Sequence, residues 1–459
     1  MVARTAVTKW RLTLRAGVAL VALLALSPGA WNGAKAQTLS DTVRLTVQSN
    51  PKILSLENNR QAVDSELRRA RSLYLPQVDV RSSLGPEYTE NLFDQGTNGQ
   101  HIREELSAVL TQKLYDGGAT TAEVDHQLGR SRSAAFRVFE NSQYVGLDAV
   151  EAHLDVVRLR RIYALSNDNV QAHQALVDRI QTRTAGGAGR AADMAQAMSR
   201  LEQAQAERDE VRGDLADAEA RYLTIVGQAP GTLEDAPVPT GVLPTDVDAS
   251  VRIMQSANPT VKAREADVDS ARAAVELADS RFSPVVTFEA GGDHNRNVDG
   301  VPGRDNEARA LVVMRWNLYA GGSDIHNREA AYAQVAQART TRLEALMQSE
   351  QDLRKAWASY DAASRRVPLL KSAVQHDEEV RSAYEQQFQM STRSLLDLLD
   401  AQSELFRAQT KMVTAQEQAV FSSYKILAVE GQMLQALNVP APAEADPTLP
   451  ARRPERPQS

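Results

Sequence analysis

The sequence predicts a mainly helical α+β chain written as two structural repeats, each made of two β-strands and a long helical hairpin. Three observations predict it. The first is recurrence: Asn50-Pro51 returns as Asn258-Pro259 and Pro76 as Pro284, both 208 residues on. Leu114-Tyr115 ahead of Gly117-Gly118 returns as Leu318-Tyr319 ahead of Gly321-Gly322, now 204 on. The same 204 links Asp193 to Asp397, Ala197 to Ala401, Leu201 to Leu405 and Gly227-Gln228 to Gly431-Gln432. Constant offsets over so many positions mark an internal duplication, shortened by one loop in the second copy. The second observation is a two-residue alternation at matched places in both copies, and the third is a three-four apolar seam along two helical stretches.

At the start of the chain, Arg4, Lys9, Arg11 and Arg15 precede an apolar run over 16–26, and Ala34-Lys35-Ala36 follows. This is the pattern of a secretory signal peptide, residues 1–36, whose apolar run is too short to span a bilayer as a helix. Its removal takes the formal charge from −7 to −12. An acidic chain with interspersed Lys and Arg is a poor nucleic-acid ligand, since phosphate neutralisation needs clustered positive charge. Cysteine is absent, which excludes disulfides, thiol catalysis and a cysteine-linked lipid anchor. No metal or cofactor motif is present.

The first repeat is expected over 37–227 and the second over 246–438. Each opens on a short helix followed by Asn-Pro, with Asn as cap and Pro at the first helical position, where its missing N–H costs nothing. The next helix ends near Tyr74, or near Arg281 in the second copy, and the period changes to two. Strands are expected at about 76–86 and 104–115, then at about 283–292 and 308–319, joined by polar loops over 87–103 and 293–306. On one face lie Val78, Val80, Ser82 and Leu84, then Leu106, Ala108 and Leu110; in copy two Val286, Phe288 and Ala290 face Ala310, Val312, Met314, Trp316 and Leu318. One apolar face and one charge-tolerant face suit a barrel wall between lipid and water. A half-buried soluble hairpin is the lesser alternative that the alternation alone leaves open.

Helical hairpins are expected over about 119–227 and 322–431. The long arms, to about Arg183 and Gln387, turn at Ala185-Gly186-Gly187 and Met390-Ser391-Thr392. The turn glycines are not followed by the Gly-Lys-Ser/Thr of a phosphate loop. The returning arms carry seams such as Leu398, Ala401, Leu405, Ala408 and Met412, a coiled-coil spacing that also fits an ordinary helical bundle. The shorter helices of each copy sum to nearly the length of the long one, so they should lie head to tail along it. Pro368, opposite Ala164 of copy one, is expected to kink or unwind the second long helix. A linker over 228–245 and a disordered tail over 439–459, both rich in Pro, complete the division.

Four strands cannot close a barrel, and open edges cannot face lipid. Three chains would supply a trimeric 12-stranded β-barrel, four strands per chain, continuous with a long α-helical coiled-coil barrel.

From about Leu39 to Leu437 this layout resembles the TolC family of outer-membrane channel proteins. The most specific match is Ser391-Thr392-Arg393-Ser394-Leu395-Leu396-Asp397-Leu398-Leu399-Asp400-Ala401, which looks like the family's periplasmic tip motif, and the Leu-Tyr-Asp-Gly-Gly and Leu-Tyr-Ala-Gly-Gly segments are also family-like. The resemblance implies a homotrimer in outer-membrane lipid with a periplasmic tunnel. It also implies two partners, a periplasmic membrane-fusion adaptor and an inner-membrane ABC or proton-driven transporter. By the same resemblance Asp397 and Asp400 form the channel constriction, and Arg393 ties the second hairpin to a neighbour through Asp193. Phe388 falls where the family's namesake has a tyrosine that helps close the tip, and Ala192 replaces a polar neighbour. Without the motif, each of these charges would be an ordinary solvated helix position.

Seven histidines without His-Glu-x-x-His spacing, and no Gly-x-Ser-x-Gly elbow, argue against a protease or glycosidase. A periplasmic coiled-coil adaptor is the alternative of another class, but it would lack two matched strand pairs. Within the channel class, residues 85–91, Gly-Pro-Glu-Tyr-Thr-Glu-Asn, resemble channels of type I protein secretion. Small-molecule or multidrug efflux is the alternative.

Overall fold

The computed structural model describes residues 36–90, 99–186, 190–299 and 301–449. The expected signal peptide, except for its last residue, lies outside them.

Helix α1 (Leu39–Ser49) begins on a capping box in which Thr38 and Asp41 satisfy one another's backbone N–H groups. It ends at Asn50, which caps α2 (Pro51–Ser72). The second copy repeats this with α5 (Val247–Ala257), Asn258 and α6 (Pro259–Ser280). Each Asn does a second job. Asn50 Nδ2 donates to the carbonyl of Ile225 at 3.3 Å, and Asn258 Nδ2 to that of Val429 at 2.7 Å. Those carbonyls close α4 (Ala191–Val226) and α8 (Leu395–Glu430), whose last-turn acceptors have no partner within the helix. The Asn-Pro landmarks therefore pin each short helix end to end with the returning helix of its own repeat.

The long helices α3 (Ala119–Ala185) and α7 (Ser323–Gln389) are 67 residues each, about 100 Å at 1.5 Å per residue. Helix α3 packs on α2 and α4 of its own copy and on α6 and α8 of the other, while α7 packs on α6 and α8. The seam of α8 is buried at Leu398, Ala401, Leu405, Ala419 and Ile426; that of α4 is buried at Ala197, Ala204 and Tyr222. The main core sits midway along the rod, where Val43, Ile53, Val150, Leu427 and Leu434 meet.

Strands β1 (Gln77–Thr89), β2 (Gly99–Tyr115), β3 (Val285–Arg296) and β4 (Arg304–Arg315) form one antiparallel sheet in sequence order, β2 pairing with β3 across the two repeats. The register confirms the expected apolar face. Val78 lies opposite Leu110, Val80 opposite Ala108, Leu110 opposite Ala290, and Phe288 opposite Val312. Directly paired residues point the same way, so this face is continuous over four strands, and it is open to the outside, with Val80 68% and Val312 66% exposed. The opposite face holds ion pairs: Arg103 with Glu87 and Glu105, Arg309 with Asp293, and Arg315 with Glu289. At the base of the sheet Tyr74, Tyr115, Phe282, Trp316 and Tyr319 stand exposed, an aromatic girdle of the kind that marks a membrane interface. Gly117 and Gly118 (φ 66 and 87), like Gly321 and Gly322 (φ 65 and 85), turn the chain from strand to long helix through left-handed backbone that other residues resist.

Four expectations need correction. All four strands run past the expected ends into the polar loops, β4 starting at Arg304, and cross-strand charge pairs such as Arg103 with Glu87 lie along these extensions. At its other end β4 stops at Arg315; Trp316 and Leu318 lie beyond it, and the Trp316 indole N–H donates to the carbonyl of Phe282 at 3.1 Å. Helix α7 remains α-helical through Pro368, without the expected unwinding. That stretch is exposed, where water can serve the carbonyl left without a donor. Finally, the tail is ordered as far as Leu449. Val439 and Ala445 are buried, and Arg60, 2% exposed on α2, donates to the carbonyl of Leu449 while pairing with Asp64. The acids Glu444 and Asp446 add favourable charge around Arg60, which a composition rule does not register. Residues 450–459 lie outside the described part.

Helix α8 ends in a buried carboxylate, Glu430, which accepts from the Ser250 hydroxyl of α5 while its second oxygen has no partner. Burial pushes its carboxyl up to about 7. The folded state thus favours the protonated form: this stabilisation is complete below the ordinary carboxylate range and is lost as pH rises through about 7. Glu430→Gln should raise the melting temperature at pH 8, by the equivalent of roughly 1 to 3 kcal/mol, and give no gain at pH 5. Helix melting followed by circular dichroism tests this, and an equal difference at both pH values would overturn it.

Candidate functional site at the hairpin tips

The two hairpins meet at the end of the rod remote from the sheet. Leu176, Val177 and Ile180 of α3, Ala197 of α4, Phe388 of α7, and Leu395, Leu398 and Leu399 of α8 form one buried cluster. In the second turn Ser391 takes a left-handed conformation (φ 61), and Thr392 N donates to the carbonyl of Gln387 at 3.0 Å. Residues 187–189 of the first turn lie outside the described part.

Asp397 is placed by helix capping. Ser394, the N-cap of α8, accepts from Asp397 N at 3.2 Å and donates its hydroxyl to Asp397 Oδ2 at 2.8 Å. A carboxylate here also meets the positive end of the helix dipole. Arg393, four residues before it, comes within 3.1 Å of Asp397 Oδ2 and lays its guanidinium over the Tyr384 ring, 3.9 Å from the centroid. Within one chain, then, Arg393 is engaged by Asp397 and Tyr384, and among the described residues no ion pair joins it to Asp193. Asp193 lies in the first turn of α4, where its backbone N–H is bonded to the carbonyl of Arg190.

Phe388 is a core side chain, 7% exposed, with the Arg183 guanidinium 5.2 Å from its ring centroid. That arginine also donates to the Ser391 hydroxyl at 3.1 Å, and Arg179 pairs with Glu385 at 2.9 Å, so the end of α3 grips the end of α7. Asp400 is not free either. Its Oδ1 accepts from Arg200 Nη2 of α4 at 2.8 Å. Next to it, Gln402 donates to Asn169 of α3 at 3.1 Å. Beneath Arg200 lies His173, 2% exposed; burial holds it below the usual imidazole range, and the Arg200 charge pushes the same way.

Arg179, Arg183 and Arg200 were not singled out from the sequence, because their partners sit about 200 positions away and the repeat offers no guide. The 204-residue offset pairs Asp400 with Gln196 and Arg200 with Glu404. Only Arg183, a cation in the last turn of a helix, carried a local signal.

The outer membrane efflux protein family model matches residues 42–228 and 252–432, one match on each repeat. The chain belongs to this family. The family is one of outer-membrane channels, not enzymes, and the chain is placed in the outer membrane with it. Among curated relatives, outer membrane efflux protein BepC of Brucella suis biovar 1 is 25% identical over 420 residues, covering 91% of this chain and 90% of that one. Protein CyaE of Bordetella pertussis is 26% identical over 396 residues, 81% of this chain and 79% of that one. The fold is that of the outer membrane protein VceC from Vibrio cholerae, with a TM-score of 0.76 at 17% identity over 86% of this chain and 96% of that one. No helix among the described residues is long and apolar enough to cross a membrane.

Proposed function

We propose that three copies of this chain, exported by residues 1–36, form the exit duct of a tripartite export system. A periplasmic adaptor and an inner-membrane transporter feed its narrow end. The observation that carries this is the four-stranded sheet: apolar on one face, charged on the other, with β1 and β4 each lacking a second partner strand among the described residues. Unpaired edges cannot persist in hydrocarbon, and cyclic closure of three sheets supplies the missing ladders.

In this reading Asp397 and Asp400 ring the constriction, and Arg393, while staying paired with Asp397, also reaches Asp193 of an adjacent chain. The family-like run at 85–91 favours a polypeptide cargo of the type I secretion kind. The similarity to BepC, an outer membrane efflux protein, favours a small-molecule cargo as the second reading. The purified protein should be trimeric in detergent, and in planar bilayers it should give a cation-preferring conductance that trivalent metal ions block from the periplasmic side. Asp397→Ala with Asp400→Ala should abolish the block and leave the trimer intact. Block that survives the double substitution would place the constriction elsewhere, and a monodisperse monomer without conductance would remove the channel.

A further inference from the structure

The two carboxylates of the proposed constriction are neutralised in different ways. Asp397 is paired with Arg393, four residues away on the same helical hairpin, so the pair moves as one body. Asp400 is paired with Arg200, which belongs to α4 of the other hairpin. We propose that Arg200 is a selectivity-determining residue, masking Asp400 while the hairpins are together and unmasking it when they part. This rests on the constriction reading above and deepens it.

Four features support the assignment. The contact is a charge-assisted hydrogen bond of 2.8 Å, and among the described residues Asp400 has no second cation. Asp400 keeps about half of its side chain exposed and Arg200 about a third, so both charges face water and any ion passing there. Below them His173 is buried, and both burial and the Arg200 charge disfavour its protonation, so Arg200 is the counter-charge in contact with Asp400. Partly exposed ion pairs are weak; the pair therefore sets local charge far more than it holds the hairpins shut. Other polar links between the hairpins, Arg179 with Glu385, Arg183 with Ser391 and Gln402 with Asn169, do not involve the Asp400 carboxylate.

The consequence is a narrow end whose charge depends on its state. Closed, each chain presents two compensated carboxylates. With the hairpins apart, Asp397 keeps its arginine and Asp400 loses its own, so three uncompensated carboxylates appear around the axis of the trimer. Like charges focused in a narrow passage draw counter-ions and repel co-ions, so opening would bring stronger cation preference with it.

Reversal potentials of the purified trimer in planar bilayers under a potassium chloride gradient test this. Arg200→Gln should raise the potassium-to-chloride permeability ratio by about twofold or more, and Arg200→Lys should keep the wild-type value. Asp400→Asn alone should lower the ratio by leaving Arg200 uncompensated, and Arg200→Gln with Asp400→Asn should return it toward wild type. Arg183→Ser, which loosens the hairpins without touching the pair, should raise the ratio in the wild-type chain and not in Arg200→Gln. Size-exclusion chromatography confirms that each variant is trimeric. An Arg200→Gln ratio equal to wild type, with Asp400→Asn still lowering it, would overturn the masking role. No change from Asp397→Asn or Asp400→Asn would instead overturn the constriction reading itself.

Discussion

Arginine in place of Val80 or Val312 is expected to abolish most assembly of the chain in the outer membrane. Both side chains lie near the middle of the apolar face, 68% and 66% exposed, and each is paired with an apolar neighbour, Ala108 and Phe288. A guanidinium there must enter hydrocarbon, which costs about 2 to 4 kcal/mol near mid-bilayer, and trimeric closure would repeat the cost three times. The comparison is Ser107→Arg. Ser107 lies between Asp293 and Arg81 on the charged face, where an added guanidinium has polar neighbours and water and not hydrocarbon. Thr287, next to Phe288 in sequence and on the tolerant face by alternation, is a poor control because it is only 9% exposed. Trimer recovered from outer-membrane fractions measures the effect, and equal losses at Val80 and Ser107 would reverse the assignment of the two faces.

Gly129→Leu is expected to separate the two repeats where α3 crosses α6. A Cβ at Gly129 would sit 2.7 Å from Ser270 N and 2.8 Å from Ser270 Cα, backbone atoms that cannot swing aside. His126 holds the same crossing through its contacts with the Ser270 carbonyl and hydroxyl, both at 3.0 Å. Overpacking of this kind costs about 1 to 3 kcal/mol or more, so the urea midpoint should fall, with a smaller fall for Gly129→Ala. Gly213, also within a helix but with nothing within 4 Å of its would-be Cβ, should respond in the opposite direction. There Ala should stabilise by up to about 1 kcal/mol through helix propensity alone. Equal responses at the two glycines would mean that α3 and α6 are not in close contact.

These two glycines show where the sequence stops being informative. By itself it determined what depends on local period and local chemistry. The duplication, the Asn-Pro helix starts, the strand faces and the alanine-rich seams follow from side-chain spacing and from which backbone groups need caps, and those forces act between residues close in the chain. The tip motif Arg393, Asp397 and Asp400 is legible as a motif for the same reason, since the three lie close together in the chain, just ahead of and within the start of α8. Only the tertiary structure decided which repeat touches which. It joined β2 to β3, placed α3 against α6 and α8, drew the tail over Arg60, and gave Asp400 to Arg200 instead of leaving it free. Such pairings link positions about 140 to 390 apart in the chain, and they depend on shape and charge matching between surfaces that exist only after the helices and strands have formed. A single sequence records the two halves of each contact without recording that they meet.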